Sequence, residues 1–158
     1  MSSTLHAPSP TEVGEFLSNL FGLQIKGTEA GGVDPSSVRG FAAYCDDGGS
    51  LRAAIFCDIH CAAKLGAALT QIPIGGVEDA INDDSLPGNI AENLGEVFNI
   101  GVNIFHESNA PRLVMSSVAT GAEAASAYSS QVADGTAVSC FELEIQRYGK
   151  GRLGVVIL

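Results

Sequence analysis

Gly14-Glu15-Phe16-Leu17-Ser18 returns as Gly95-Glu96-Val97-Phe98-Asn99, the same glycine–acid–apolar–apolar–polar pattern 81 positions on (95 − 14 = 81). Both copies lie in stretches with helical periodicity, and each is followed by segments that read as three strands. A chain written as helix plus three strands, twice, has few ways to bury its apolar faces. The strands pair into one sheet and the helices lay their stripes on it. The expectation is an α+β domain of two pseudo-symmetric halves, with long helices packed on a mostly antiparallel sheet of about six strands. The halves span about residues 9–80 and 88–158, the single domain is 9–158, and residues 1–8 read as a disordered N-terminal tail.

Local signals place the elements. Ser9 as N-cap, Pro10 in the first turn and Glu12 reaching back form a capping box. Val13, Phe16, Leu17, Leu20 and Phe21 then recur at helical spacing until Gly22. A short strand follows at 23–26 and a loop at 31–37. Strands at 38–45 and Leu51–Cys57 flank the turn Asp46-Asp47-Gly48-Gly49-Ser50. An Ala-rich helix over Ile59–Leu69 takes Asp58 as its cap. Residues 70–87 read as loop or short helix, 89–105 as a long helix, and 112–118 as a strand. The Ala/Ser/Gly-rich stretch 120–135 fits a mobile surface loop at least as well as a helix. A hairpin of 136–146 and 152–158 closes the chain.

At 158 residues the chain is long enough for one domain, with a folded surface of roughly 7,500 Å². Hydrophobic residues at 46% against 16% charged exclude a disordered chain. A net charge of −10 with only 8 Lys and Arg leaves too few cations to neutralise a row of phosphates. Nucleic acid and anionic membrane surfaces are excluded as partners, and a protein that offers Lys or Arg is expected instead. The most apolar stretch, 51–69, is interrupted by Arg52, Asp58, His60 and Lys64, so it is no membrane span. With no signal-like start and no paired spacing, Cys45, Cys57, Cys61 and Cys140 read as reduced and the chain as cytoplasmic.

On the helix at 89–105, Ile90, Leu94, Val97, Phe98, Gly101, Ile104 and Phe105 share one stripe. The other side carries Glu92, Glu96, Asn99, Asn103 and His106. No Lys or Arg occurs between Leu65 and Pro111, so these acids have no cation on their own helix. A solvated outward face accounts for that pattern; a site is the other account. Cys57-Asp58-Ile59-His60-Cys61 brings two thiols, an imidazole and a carboxylate close in sequence, yet lacks the distant second couple of a zinc site. It reads as buried structural cysteines beside a helix cap. Asp46-Asp47-Gly48-Gly49 lacks the alternating acids of a calcium loop, and no glycine pair has phosphate-loop spacing. No metal or cofactor of the chain's own is expected.

Glu96-Val97-Phe98-Asn99 on a long exposed helix resembles the Glu-x-x-Asn motif of the CheC/CheX phosphatase family, relatives of the FliY and FliM middle domains. The strand–turn–strand over residues 41–56 and the helix after it are similar to that family's, and the likeness runs through most of 10–158. The resemblance implies a fold of two helix-plus-three-strand halves. It implies hydrolysis of a response regulator's aspartyl phosphate, with Asn99 orienting the attacking water and Glu96 engaging the regulator's lysine. Glu92 and Asn103 would contact the partner, and Mg²⁺ would arrive on the regulator. The family usually carries Asp or Ser where this chain has Glu92, and a proline in the strand that reads Leu113 to Val118 here. The first half holds Ser18 in place of the amide, which resembles the single-site CheX pattern; that first site reads as structural. A non-catalytic docking module of the same fold is the alternative. Similar proteins form strand-exchanged dimers, so the apolar end 153–158 is a candidate for pairing in a homodimer.

Overall fold

The computed structural model describes residues 5–105 and 112–158. Helix α1 (Pro10–Phe21) starts on the expected capping box: Ser9 Oγ accepts from the Glu12 N–H at 3.2 Å, and Glu12 Oε1 from the Ser9 N–H at 3.0 Å. Gly22 ends it in the left-handed region at φ 69°. Next come β1 (Ile25–Glu29), a 3-10 turn over Pro35–Ser37, β2 (Gly40–Cys45), β3 (Leu51–Cys57) and α2 (Ile59–Leu69). Asp58 caps α2 through the Cys61 N–H at 2.8 Å. The second half holds α3 (Ile74–Asp83), α4 (Gly88–Gly101), a 3-10 turn over Val102–Phe105, β4 (Val114–Thr120), α5 (Glu123–Gln131), β5 (Ser139–Ile145) and β6 (Gly149–Ile157).

The six strands form one sheet in the order β1-β5-β6-β3-β2-β4, and every neighbouring pair is antiparallel. Exchanging β1 with β4, β2 with β5 and β3 with β6 turns that order into its own reverse. The sheet therefore has a pseudo-twofold axis between β3 and β6, and α1 and α4 are the equivalent helices of the two halves. One face packs Val13 and Leu17 of α1, Leu65 of α2 and Leu94, Val97 and Phe98 of α4 on Tyr44, Ile55, Leu143 and Leu153. The other face packs Ala124 and Tyr128 of α5 on Phe41, Phe56 and Val156. α2 is buried along most of its length, between α3 and α4. The exposed surface of 7694 Å² agrees with the value expected for a compact chain of this size.

Several expectations are corrected. The stretch 120–135 contains α5, because the Tyr128 ring packs 4.7 Å from Phe56 and 6.2 Å from Phe41 and gives a weakly amphipathic segment something to bury. The long helix is shorter than 89–105: regular α-helix ends at Gly101 and tightens into the 3-10 turn. β1 runs to Glu29 rather than ending at 26, and β6 begins at Gly149 rather than 152. Of the end 153–158, Leu153–Val155 are paired on both sides, with β5 and β3, and beyond Val155 the pairing continues with β3 alone. Within the stretch read as tail, Leu5 is buried in the main core and the His6 N–H donates to the Phe105 carbonyl at 3.3 Å. His106, Pro111 and the first four residues lie outside the described residues. Among the described residues no helix is long and apolar enough to cross a membrane.

Candidate functional site

The site is built on α4, and three contacts fix where that helix lies. Ile90, Leu94, Val97, Phe98 and Gly101 form its buried stripe, as the periodicity predicts. Along its N-terminal half it rests on α2, where a Cβ on Gly66 would lie 2.5 Å from the Ile90 carbonyl oxygen. Asn93 locks that contact, its amide donating to the Gly66 carbonyl at 2.9 Å and to Thr70 Oγ1 at 2.8 Å. At the other end the buried Tyr44 hydroxyl donates to the Phe98 carbonyl at 2.7 Å. That carbonyl lies in the last turn, where intrahelical donors run out. Burial pushes the Tyr44 phenol far above its ordinary value, so it remains a donor.

Held in this way, α4 presents Glu92, Glu96 and Asn99 to solvent. They line an open groove of about 610 Å³ together with Asn93, Gly95 and Met115. None of the three makes a side-chain hydrogen bond or ion pair among the described residues. Glu92 and Glu96 are like charges at i and i+4, an arrangement that costs a helix a few tenths of a kcal/mol. The groove is therefore acidic, solvated and open to a cation from outside.

The two halves differ at this point. In α1, a Cβ on Gly14 would lie 2.9 Å from the Ile25 carbonyl oxygen and 3.0 Å from the Gly27 nitrogen, so the helix sits directly on β1. At the equivalent Gly95, nothing of the surrounding fold among the described residues lies within 4 Å of such a Cβ. α4 thus stands off β4, and the gap is the groove. Met115 borders it because the β2–β4 register slips between Ala43 and Tyr44, leaving Ser116 as the extra residue. Ser116 Oγ bonds the Ala43 carbonyl at 3.2 Å. Ser18, the counterpart of Asn99, is fully engaged: its Oγ donates to the Ile25 carbonyl at 3.1 Å and accepts from the Ile25 N–H at 2.9 Å. That agrees with reading the first copy as structural.

Asn103 is not brought together with Glu96 and Asn99. The 3-10 turn shifts the helical phase, and Asn103 lines a second groove of about 280 Å³ with His6, Glu12, Glu15, Phe16 and Asn19. Its amide donates to the Ile100 carbonyl at 3.0 Å. Asn93, Gly95 and Met115 were not among the site residues expected from the sequence. A glycine inside a helix was the available signal for the second; tertiary contact alone identifies the others.

The remaining motifs resolve into structure. Cys57 and Cys61 are buried while His60 is exposed, so the motif does not converge. Burial pushes the Cys61 thiol up and keeps it protonated. Asp46 closes its hairpin by accepting from the N–H groups of Gly48 and Ser50, both at 3.0 Å, and from Arg52 at 3.1 Å. Those bonds hold its carboxyl below the usual range.

A six-stranded antiparallel sheet with pseudo-equivalent long helices defines the fold class of the CheC-like proteins. Among solved structures, the middle domain of FliM from Vibrio alginolyticus matches with a TM-score of 0.58 at 12% identity, over 92% of this chain and 85% of that one. The CheX–CheY–BeF3–Mg²⁺ complex from Borrelia burgdorferi matches with 0.55 at 12% identity, over 92% of each chain. The FliM–SpeE complex from H. pylori matches with 0.56 at 10% identity, over 92% of this chain and 80% of that one. No family model matches the sequence, and no curated protein matches it. The chain has the fold of CheX and of the FliM middle domain.

Proposed function

We propose that this protein is a phosphatase for the aspartyl phosphate of a response regulator, acting in the cytoplasm through the α4 groove. The observation that carries the reading is that Glu96 and Asn99 share one exposed groove and that neither side chain is bonded to another group among the described residues. An acyl phosphate is labile, so the catalyst's task is to hold water in line behind phosphorus. The Asn99 carbonyl accepts from that water and orients it. Water adds to phosphorus as the bond to the aspartate oxygen breaks; the products are the free carboxylate and inorganic phosphate, which carries the water's protons. Glu96, one turn earlier, accepts from the regulator's active-site lysine and sets the register of the two proteins. Glu92 extends the acidic contact at the rim, and Asn103 reaches the partner from the neighbouring groove. Mg²⁺ belongs to the regulator in this reading, as it accompanies CheY and BeF3 in the CheX complex of similar fold.

A docking module without catalysis is the second reading, supported by the equal likeness to the FliM middle domain. The test is dephosphorylation of phosphate-loaded regulators from the same cell by wild type, Asn99→Ala and Glu96→Ala. Acceleration by wild type that drops about 10²-fold or more in Asn99→Ala, at unchanged melting temperature, is the expected result. Binding without acceleration leaves the docking module. Acceleration that survives Asn99→Ala removes this site.

A further inference from the structure

Three glycines lie inside α-helices away from the terminal turns, and glycine is the poorest helix former after proline. Two have a reason in the fold. A Cβ on Gly14 would meet the β1 backbone at 2.9 Å, and one on Gly66 would meet the Ile90 carbonyl at 2.5 Å. Gly95 shows none: it lies in regular helix, and among the described residues nothing of the surrounding fold is within 4 Å of where a Cβ would stand. An alanine would fit and would make a better helix. The space that a Cβ would take is in the groove, flanked by Glu92, Glu96 and Asn99.

We infer that Gly95 is a contact point of the docked regulator, where a segment carrying Lys or Arg crosses α4 with its main chain against the bare Cα and its cation between Glu92 and Glu96. Glycine is the residue that lets another backbone come this close. Charge selects the occupant: two like-charged carboxylates flank the glycine, and no Lys or Arg lies between Leu65 and Pro111 to neutralise them. This inference rests on the α4 groove being the docking face for a response regulator.

The experiment measures melting temperature and binding for wild type, Gly95→Ala, Gly95→Leu and the control Gly75→Ala on α3, an exposed glycine whose Cβ would likewise meet nothing among the described residues. The probes are the purified regulators of the same cell, loaded with beryllofluoride and Mg²⁺. Gly95→Ala is expected to raise the melting temperature by about 2–4 °C while weakening binding ~5-fold. Gly95→Leu is expected to weaken binding ~100-fold, and Gly75→Ala to leave it unchanged. A fall in melting temperature for Gly95→Ala means the fold itself needs the glycine and overturns the inference. So does binding indifferent to Gly95→Leu, or no binding by any loaded regulator. Binding that depends on Gly95 without dephosphorylation leaves the contact standing and removes the catalytic reading instead.

Discussion

Ser18 and Asn99 occupy equivalent places in the two halves, and the distance from helix to strand decides what each does. Where α1 touches β1, a short hydroxyl reaches the Ile25 backbone and closes the corner with two hydrogen bonds. Where α4 stands off β4, the amide meets no backbone among the described residues and stays on the surface. Tyr44 shows the opposite economy, a buried hydroxyl with one partner, the Phe98 carbonyl. Removing it in Tyr44→Phe leaves that carbonyl unpaired in the core. The expected loss is about 1–3 kcal/mol in urea unfolding. Because Phe98 precedes Asn99, regulator binding is expected to weaken in the same variant. Stability within a few tenths of wild type would show that water or another donor replaces the phenol.

Among the elements, α2 and α4 are fitted to each other by small residues. α2 carries Ala62, Ala63, Gly66 and Ala67 in its buried middle, which lets the α4 backbone approach and gives Asn93 a carbonyl to bind. Gly66→Ala is therefore expected to destabilise by about 1–3 kcal/mol despite its better helix propensity, since a Cβ 2.5 Å from the Ile90 carbonyl forces the helices apart. The same exchange at Gly95 has the opposite sign. Denaturant midpoints of the two variants measured side by side test both claims, and two shifts in one direction would refute the packing account. α5 is an element of another kind, held by Tyr128 on Phe41 and Phe56 rather than by its own propensity.

At the scale of the molecule, the pseudo-twofold sheet is fastened at its periphery by charged links. One such link is Arg39, before β2, which grips Asp84 at the end of α3: Nε to Oδ1 and Nη2 to Oδ2 are both 2.9 Å. Asp84 is itself left-handed at φ 50°. Hydrogen bonds from Arg39 hold the Asp84 carboxyl below its ordinary value of 3.8. A depressed carboxyl contributes stability that is present above its unfolded value and is lost as pH falls through the folded one. Melting temperature is therefore expected to fall more steeply below about pH 4 for wild type than for Asp84→Asn, with the two curves converging in acid. Parallel curves would show that the link contributes nothing. Asp84 is largely exposed, so the effect should be small and should shrink with added salt.

The order helix, three strands, two helices, three strands was legible in the sequence, because capping residues, glycine stops and apolar periodicity act over a few neighbours. Ser9, Glu12, Gly22 and Asp58 all do locally what their types predict. The exposed placement of Glu92, Glu96 and Asn99 follows from the same periodicity. What was not legible is everything that depends on how closely two elements approach. The helix at 123–131 exists because of distant aromatic rings, and the parting of Asn103 from Asn99 follows from a helix that tightens at its packed end. The groove exists because α4 stands off a strand that α1 would have touched. Periodicity tells which side of a helix is buried; only the assembled sheet decides how far that side lies from its neighbour, and that distance leaves Gly95 open where Gly14 is closed.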